Sequence, residues 1–137
     1  MVTDVFYYGL FLDAELLRAE GYFPQNPEIA FVEGFKLRIG RRAALAPAAG
    51  SRVYGSLMSM TVDELQRLYA EPSLTAYKPT AVLAHLARGG VRAALCYNLS
   101  EPPPASERNE EYAKKLRVAA RKVGLPPEYL AYLDEEV

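Results

Sequence analysis

The sequence predicts an α+β fold: a small mixed β-barrel or sheet of about five to six strands, with helices packed outside it. Three observations lead there. The chain has 137 residues, a common size for one domain, and 50% of them are hydrophobic, enough for one core. The strand-like runs are short and β-branched or aromatic, whereas the helical runs carry capping residues. Strand and helix patterns do not alternate strictly, as a doubly wound parallel sheet would require.

The elements follow in order. Val5-Phe6-Tyr7-Tyr8 is β-branched and aromatic, so it reads as a strand that Gly9 ends. Asp13 can cap the next helix, with Leu16 and Leu17 turned inward and Gly21 as its stop. Residues 22–28 hold two prolines and an asparagine and read as loop. Residues 29–39 read as strand, with a turn possible at Glu33-Gly34. In it Phe35, Leu37 and Ile39 alternate with Lys36 and Arg38. Residues 43–50 read as a small-residue connection containing Pro47, and residues 52–60 as strand again. There Val53, Gly55, Leu57 and Ser59 take one side, and Tyr54, Ser56, Met58 and Met60 the other.

Thr61-Val62-Asp63-Glu64 is a capping box, opening a helix that presents Leu65 and Leu68 to the core and stops before Pro72. Residues 80–86 and 91–97, joined through Arg88-Gly89-Gly90, predict a hairpin. Residues 101–107, with three consecutive prolines, predict an extended crossing segment. Residues 110–123 predict the longest helix, its inner stripe marked by Tyr112, Leu116, Ala119 and Ala120. Gly124 ends it, and Pro126-Pro127 start a short last helix through Leu133. With no repeat, linker or low-complexity tract, residues 1–137 are expected to form a single domain.

Composition narrows the function classes. The net charge is −1 and the basic residues are scattered, so no nucleic-acid partner is expected. No run approaches ~20 apolar residues and no signal peptide is visible, so a cytoplasmic protein with no membrane partner is the default. Cys96 is the only cysteine and His85 the only histidine. A buried inert thiol is the simpler reading of Cys96, and a structural zinc site, which wants four such ligands, is not expected.

Three features can carry chemistry. At Tyr8-Gly9-Leu10-Phe11-Leu12 a glycine turn precedes a helix, and free amides there suit a carboxylate or an oxyanion. The plain alternative is that Gly9 only makes the turn. Glu71 leaves its helix just before Pro72; a carboxylate recessed there would have a raised pKa suited to a general base. Pattern alone favours an exposed glutamate at a helix end. The chain also holds ten tyrosines and no tryptophan. Tyr77, Tyr97 and Tyr112 fall in three different elements and either converge or serve as core residues with a hydroxyl at the edge.

Taken in order, these segments resemble the gamma-glutamylcyclotransferase family and its AIG2-like relatives. The matching residues are Val5 to Leu12, Ala44-Leu45-Ala46-Pro47, Arg52-Val53-Tyr54-Gly55-Ser56-Leu57, Asp63-Glu64-Leu65, Leu68-Tyr69-Ala70-Glu71 and Tyr77. The C-terminal part adds Ala94-Leu95-Cys96-Tyr97, Tyr112-Ala113-Lys114-Lys115 and Gly124-Leu125-Pro126-Pro127-Glu128-Tyr129. The resemblance implies a cyclotransferase that turns a γ-glutamyl compound into 5-oxoproline and a free amine or amino acid, with no metal and no cofactor. It implies Glu71 as acid/base. It also implies Tyr8, Gly9, Leu10, Phe11, Leu12, Tyr77, Tyr97 and Tyr112 around a small-molecule γ-glutamyl substrate. Leu10 stands where the family has a serine, and Pro72 where it has a glycine. The competing expectation is a non-catalytic module of the same fold that holds a small carboxylate or a partner. The sequence leaves the oligomeric state open.

Overall fold

The computed structural model describes residues 1–136; Val137, the last residue of the expected domain, lies outside the described residues. The chain forms β1 (Val2–Tyr7), a 3-10 turn (Leu10–Leu12), α1 (Ala14–Ala19), β2 (Gln25–Ile39) and β3 (Ala43–Thr61). It continues through α2 (Val62–Leu68), β4 (Lys78–Leu86), β5 (Val91–Asn98), α3 (Glu110–Val123) and α4 (Pro127–Glu136). The strands close a barrel in the order β1-β3-β2-β4-β5. Four contacts in it are antiparallel, and β1 meets β5 in parallel, which makes the barrel mixed. The expected α+β barrel with outer helices is therefore the fold.

Paired strand residues share a face, so the register identifies the interior. Phe6 pairs with Leu57, Val32 with Val53, and Ala30 with both Gly55 and Leu86, while Val82 pairs with Ala94. All of these side chains are buried. The opposite face of β1 and β3 is buried as well, through Val5, Tyr7, Ser56 and Met58. There the Tyr7 hydroxyl donates to Met60 Sδ at 3.0 Å, and Ser56 Oγ donates to the Leu12 carbonyl at 2.6 Å. The Leu10–Leu12 turn lies over this face. Gly55 sits where β1 crosses β3: a Cβ there would lie 2.0 Å from the Tyr7 carbonyl oxygen. No other residue fits without parting the strands.

The strands run further than the pattern suggested. Residues 25–28, expected as loop, already belong to β2, with a register shift between Gln25 and Glu28 and Asn26 at φ 53°. Such a bulge accommodates Pro27, which has no ladder donor. Residues 43–50, expected as a connection, are the first part of β3 and pair with Phe35 to Ile39. Small alanines hide the alternation that would mark a strand. Glu33-Gly34 is a bulge within β2 and not a turn.

Local chemistry sets the helix ends. Asp13 accepts from the Glu15 amide, Thr61 and Glu64 form the full capping box, and Asn109 accepts from the Tyr112 amide. Gly124, at φ 91°, closes α3 in the left-handed conformation. Two inward assignments change. Leu16 is 40% exposed and only Leu17 of that pair is buried. On α3 the fully buried stripe is Ala113, Leu116, Ala119 and Ala120, with Tyr112 half-buried at its edge. Among the described residues no helix is long and apolar enough to cross a membrane.

Candidate functional site

One cavity of about 780 Å3 opens beside the end of β1. Its floor is the strand-to-helix turn, Tyr7 to Phe11, and its walls include Tyr69, Tyr77, Tyr97 and Tyr112. Phe6 of β1, Leu16 of α1, Glu20 just beyond it, Arg41, Arg42 and Ala43 at the β2–β3 turn, and Pro72 to Leu74 complete the lining. Most of the lining is thus aromatic or aliphatic, with charge confined to Glu20, Arg41 and Arg42.

The turn is held by Tyr112, which α3 carries across the barrel mouth. The Leu10 amide donates to the Tyr112 hydroxyl at 3.2 Å. The Leu12 and Asp13 amides donate to the Gly9 and Leu10 carbonyls, and the Phe11 amide has no acceptor among the described residues. The expected pair of free amides is therefore reduced to that of Phe11, because Tyr112 occupies that of Leu10.

The tyrosines brace one another. Tyr69 and Tyr97 stack with ring centroids 3.8 Å apart and planes 6° from parallel. The Tyr8 hydroxyl donates to the Tyr97 carbonyl at 3.0 Å, and that of Tyr77 to the Ala43 carbonyl at 2.5 Å. Burial pushes the pKa values of Tyr7, Tyr8, Tyr69, Tyr97 and Tyr112 upward. For Tyr77, burial raises the value to about 12, against the pull of the Arg42 charge. All remain neutral at pH 7, so they supply hydroxyl groups and ring faces and not a base.

Of the residues singled out from sequence, Tyr8, Gly9, Leu10, Phe11, Tyr77, Tyr97 and Tyr112 line this cavity together. Two do not. Leu12 is turned into the core, 1% exposed. Glu71 is exposed and lies outside the lining, in a turn where the Leu74 amide donates to its carbonyl at 2.8 Å. The recessed carboxylate expected at that position is thus absent from the cavity, although the next three residues form its rim. The helix ends at Leu68, earlier than Pro72 alone demands. Glu20, Arg41, Arg42 and Tyr69 were not singled out. Each lies in a segment whose local pattern reads as ordinary surface or helix.

Cys96 and His85 sit apart. Cys96 is fully buried in the barrel, and burial pushes its thiol up to about 12. His85 faces outward, stacked on Phe31 and 3.2 Å from Glu33, and its strand partner is Val91. Cys96 pairs with Thr80, at the other end of the hairpin.

The model of the AIG2-like family matches residues 52–133, more than half of the chain. The chain belongs to the AIG2-like family. Solved structures share its fold. A gamma-glutamyl cyclotransferase superposes with a TM-score of 0.79 at 20% identity, over 100% of this chain and 89% of the other. The human protein loc79017 gives 0.78 at 22% identity, over 99% and 88%. A yeast gamma-glutamyl cyclotransferase specific to glutathione gives 0.67 at 15% identity, over 99% and 95%. No curated protein matches the chain in sequence. At these identities the structural likeness establishes the AIG2-like barrel and leaves the chemistry to the residues in the cavity.

Proposed function

We propose that this AIG2-like protein is a cyclotransferase that converts a γ-glutamyl compound to 5-oxoproline and a free amine. The observation that carries the reading is convergence. The Tyr8 to Phe11 turn and Tyr77, Tyr97 and Tyr112, far apart in sequence, line one cavity large enough for a small metabolite.

The reaction is an intramolecular acyl transfer. The substrate's α-amine attacks its own γ-carbonyl, forming the ring nitrogen–carbon bond. The bond from that carbon to the leaving nitrogen then breaks. The α-ammonium gives up two protons in becoming the ring amide N–H, and both end on the leaving nitrogen, which departs as an ammonium, so the step consumes no water and needs no redox partner. Because the nucleophile is tethered, positioning contributes most of the acceleration. The α-ammonium is protonated at pH 7, so a carboxylate must take its protons and pass them to the leaving nitrogen. The unpaired Phe11 amide is a donor for the developing oxyanion, and the neutral tyrosines shape an apolar wall.

Glu71 is the proposed acid/base. It leads directly into the rim segment Pro72 to Leu74. Glu20, already on the lining, is the competing carboxylate. The test is 5-oxoproline release from a panel of γ-glutamyl dipeptides and amines, followed by mass spectrometry. Product from the native protein and a loss of about 100-fold or more in Glu71→Gln supports the reading. A comparable loss in Glu20→Gln, with Glu71→Gln active, moves the role to Glu20. No product from any substrate sinks the enzyme reading. The second reading, a binding module without turnover, is favoured by one observation, the outward-facing Glu71.

A further inference from the structure

We infer that Arg41 and Arg42 form an anion subsite at the mouth of the cavity, selecting leaving amines that carry carboxylates, acidic amino acids before neutral ones. The inference rests on the cyclotransferase reading for the identity of the bond that is cut.

Both arginines lie on the turn between β2 and β3, and both line the cavity. Arg42 is half-buried. Neither guanidinium has a carboxylate or another acceptor among the described residues; the contact that involves Arg41 runs through its backbone amide to Glu107. Other arginines of this protein, such as Arg52, Arg88, Arg117 and Arg121, have carboxylate partners. A guanidinium stays charged at any working pH and offers a planar fork suited to a carboxylate. Partial burial of Arg42 without a partner strips part of its hydration, and a ligand anion restores the loss.

The backbone beneath the pair is fixed in place, as a binding subsite requires. A Cβ on Gly40 would meet Glu107 Oε1 at 2.6 Å and Pro103 Cβ at 2.7 Å, so the 99–109 segment is pressed against this turn. Glu107 accepts the Arg41 amide, and the Tyr77 hydroxyl holds the Ala43 carbonyl on the other side. Glu101 and Glu107 border a smaller neighbouring cavity of about 240 Å3 that shares the two arginines, yet neither carboxylate closes on a guanidinium.

Charge then discriminates between ligands. The glutamyl end of a substrate carries an α-carboxylate beside an α-ammonium, so its own charges cancel. The lining holds two cations against one carboxylate, Glu20, on a different element. The surplus positive charge therefore matches anions on the leaving amine, and two guanidiniums suit a leaving amino acid with two carboxylates.

The experiment compares γ-glutamyl-glutamate, γ-glutamyl-alanine and γ-glutamyl-ethylamine, whose leaving groups carry two, one and no carboxylates. The expected KM falls about tenfold with each carboxylate, with kcat changing little, and the gradient compresses at high salt. Arg41→Gln and Arg42→Gln each flatten one step of the gradient, and Arg42→Lys restores part of it. Equal KM values in the native protein, or a gradient intact in both glutamine variants, overturns the subsite. If none of the three yields 5-oxoproline, the cyclotransferase reading fails by itself, and calorimetric titration of the same compounds decides the subsite. Graded affinities lost in Arg42→Gln then support it; flat affinities or no binding overturn it. Melting curves of each variant separate a binding loss from unfolding.

Discussion

A Cβ placed on Gly9 would lie 2.5 Å from the hydroxyl oxygen of Tyr112. The same hydroxyl accepts the Leu10 amide, so the glycine and the tyrosine occupy one shared space. Gly9 has φ −99°, and an L-residue tolerates that backbone; the constraint is contact and not torsion. Tyr112 comes from α3, over a hundred residues later, and pins the turn that floors the cavity.

Gly9→Ala is therefore expected to destabilise the protein by about 1–3 kcal/mol, as overpacking does. Tyr112→Phe removes the clashing oxygen and leaves the Leu10 amide unpaired. The double variant should be more stable than the sum of the two losses predicts, because each change relieves part of the other's cost. Urea unfolding of the four proteins measures the coupling, and strict additivity would refute it.

Asn98 ties β5 to β3, two strands that are not neighbours in the barrel. Its Oδ1 accepts the Leu45 amide at 2.9 Å and its Nδ2 donates to the Leu45 carbonyl at 3.0 Å, the exchange a neighbouring strand residue would make. Leu45 is 2% exposed, so both groups lose a partner without gaining water in Asn98→Ala. The expected cost is about 2–3 kcal/mol in urea unfolding. The Tyr8 hydroxyl, which also reaches Asn98 Oδ1 at 3.2 Å, loses that contact, and ligand affinity should fall as well.

Glu64 makes stability depend on acid. Burial alone would raise its pKa, but hydrogen bonds from the Thr61 and Phe23 amides and the Thr61 hydroxyl, aided by Arg67, outweigh this and hold it low. A carboxyl whose pKa is lower folded than unfolded contributes stability above its unfolded value of about 4.3. That contribution is lost as pH falls through the folded value. Glu64→Gln should be less stable at pH 7 by about 1–3 kcal/mol and show a shallower decline below about pH 4.3. Parallel decline of the two proteins across pH 3 to 5 would remove Glu64 from the account.

Cys96 should resist thiol reagents in the folded protein. Its side chain is 0% exposed and burial lifts its pKa to about 12. At pH 8 the thiolate fraction is lower than that of a free cysteine by a factor on the order of 1,000. Labelling by an aromatic disulfide should follow unfolding with urea, with the same midpoint as the loss of circular dichroism. Rapid labelling without denaturant would contradict this placement.

What the sequence determined by itself was local. Gly124 as a left-handed stop, Thr61 with Glu64 as a cap, Asp13 as an N-cap and the glycine hairpin at Gly89-Gly90 all depend on residues within a turn or two of each other. The ordered series of motifs from Val5 to Tyr129 carried the family resemblance and, through it, the barrel. Tertiary contact decided the rest. Residues 43–50 became strand because Phe35 to Ile39 lay beside them, and alanines have no preference strong enough to announce it. Arg41 and Arg42 line the cavity on a turn against which Pro103 and Glu107 pack at Gly40. The contacts of Gly40 with Pro103 and Glu107 join residues tens of positions apart. No window of sequence contains both partners, so only the folded chain brings their sterics and charges together.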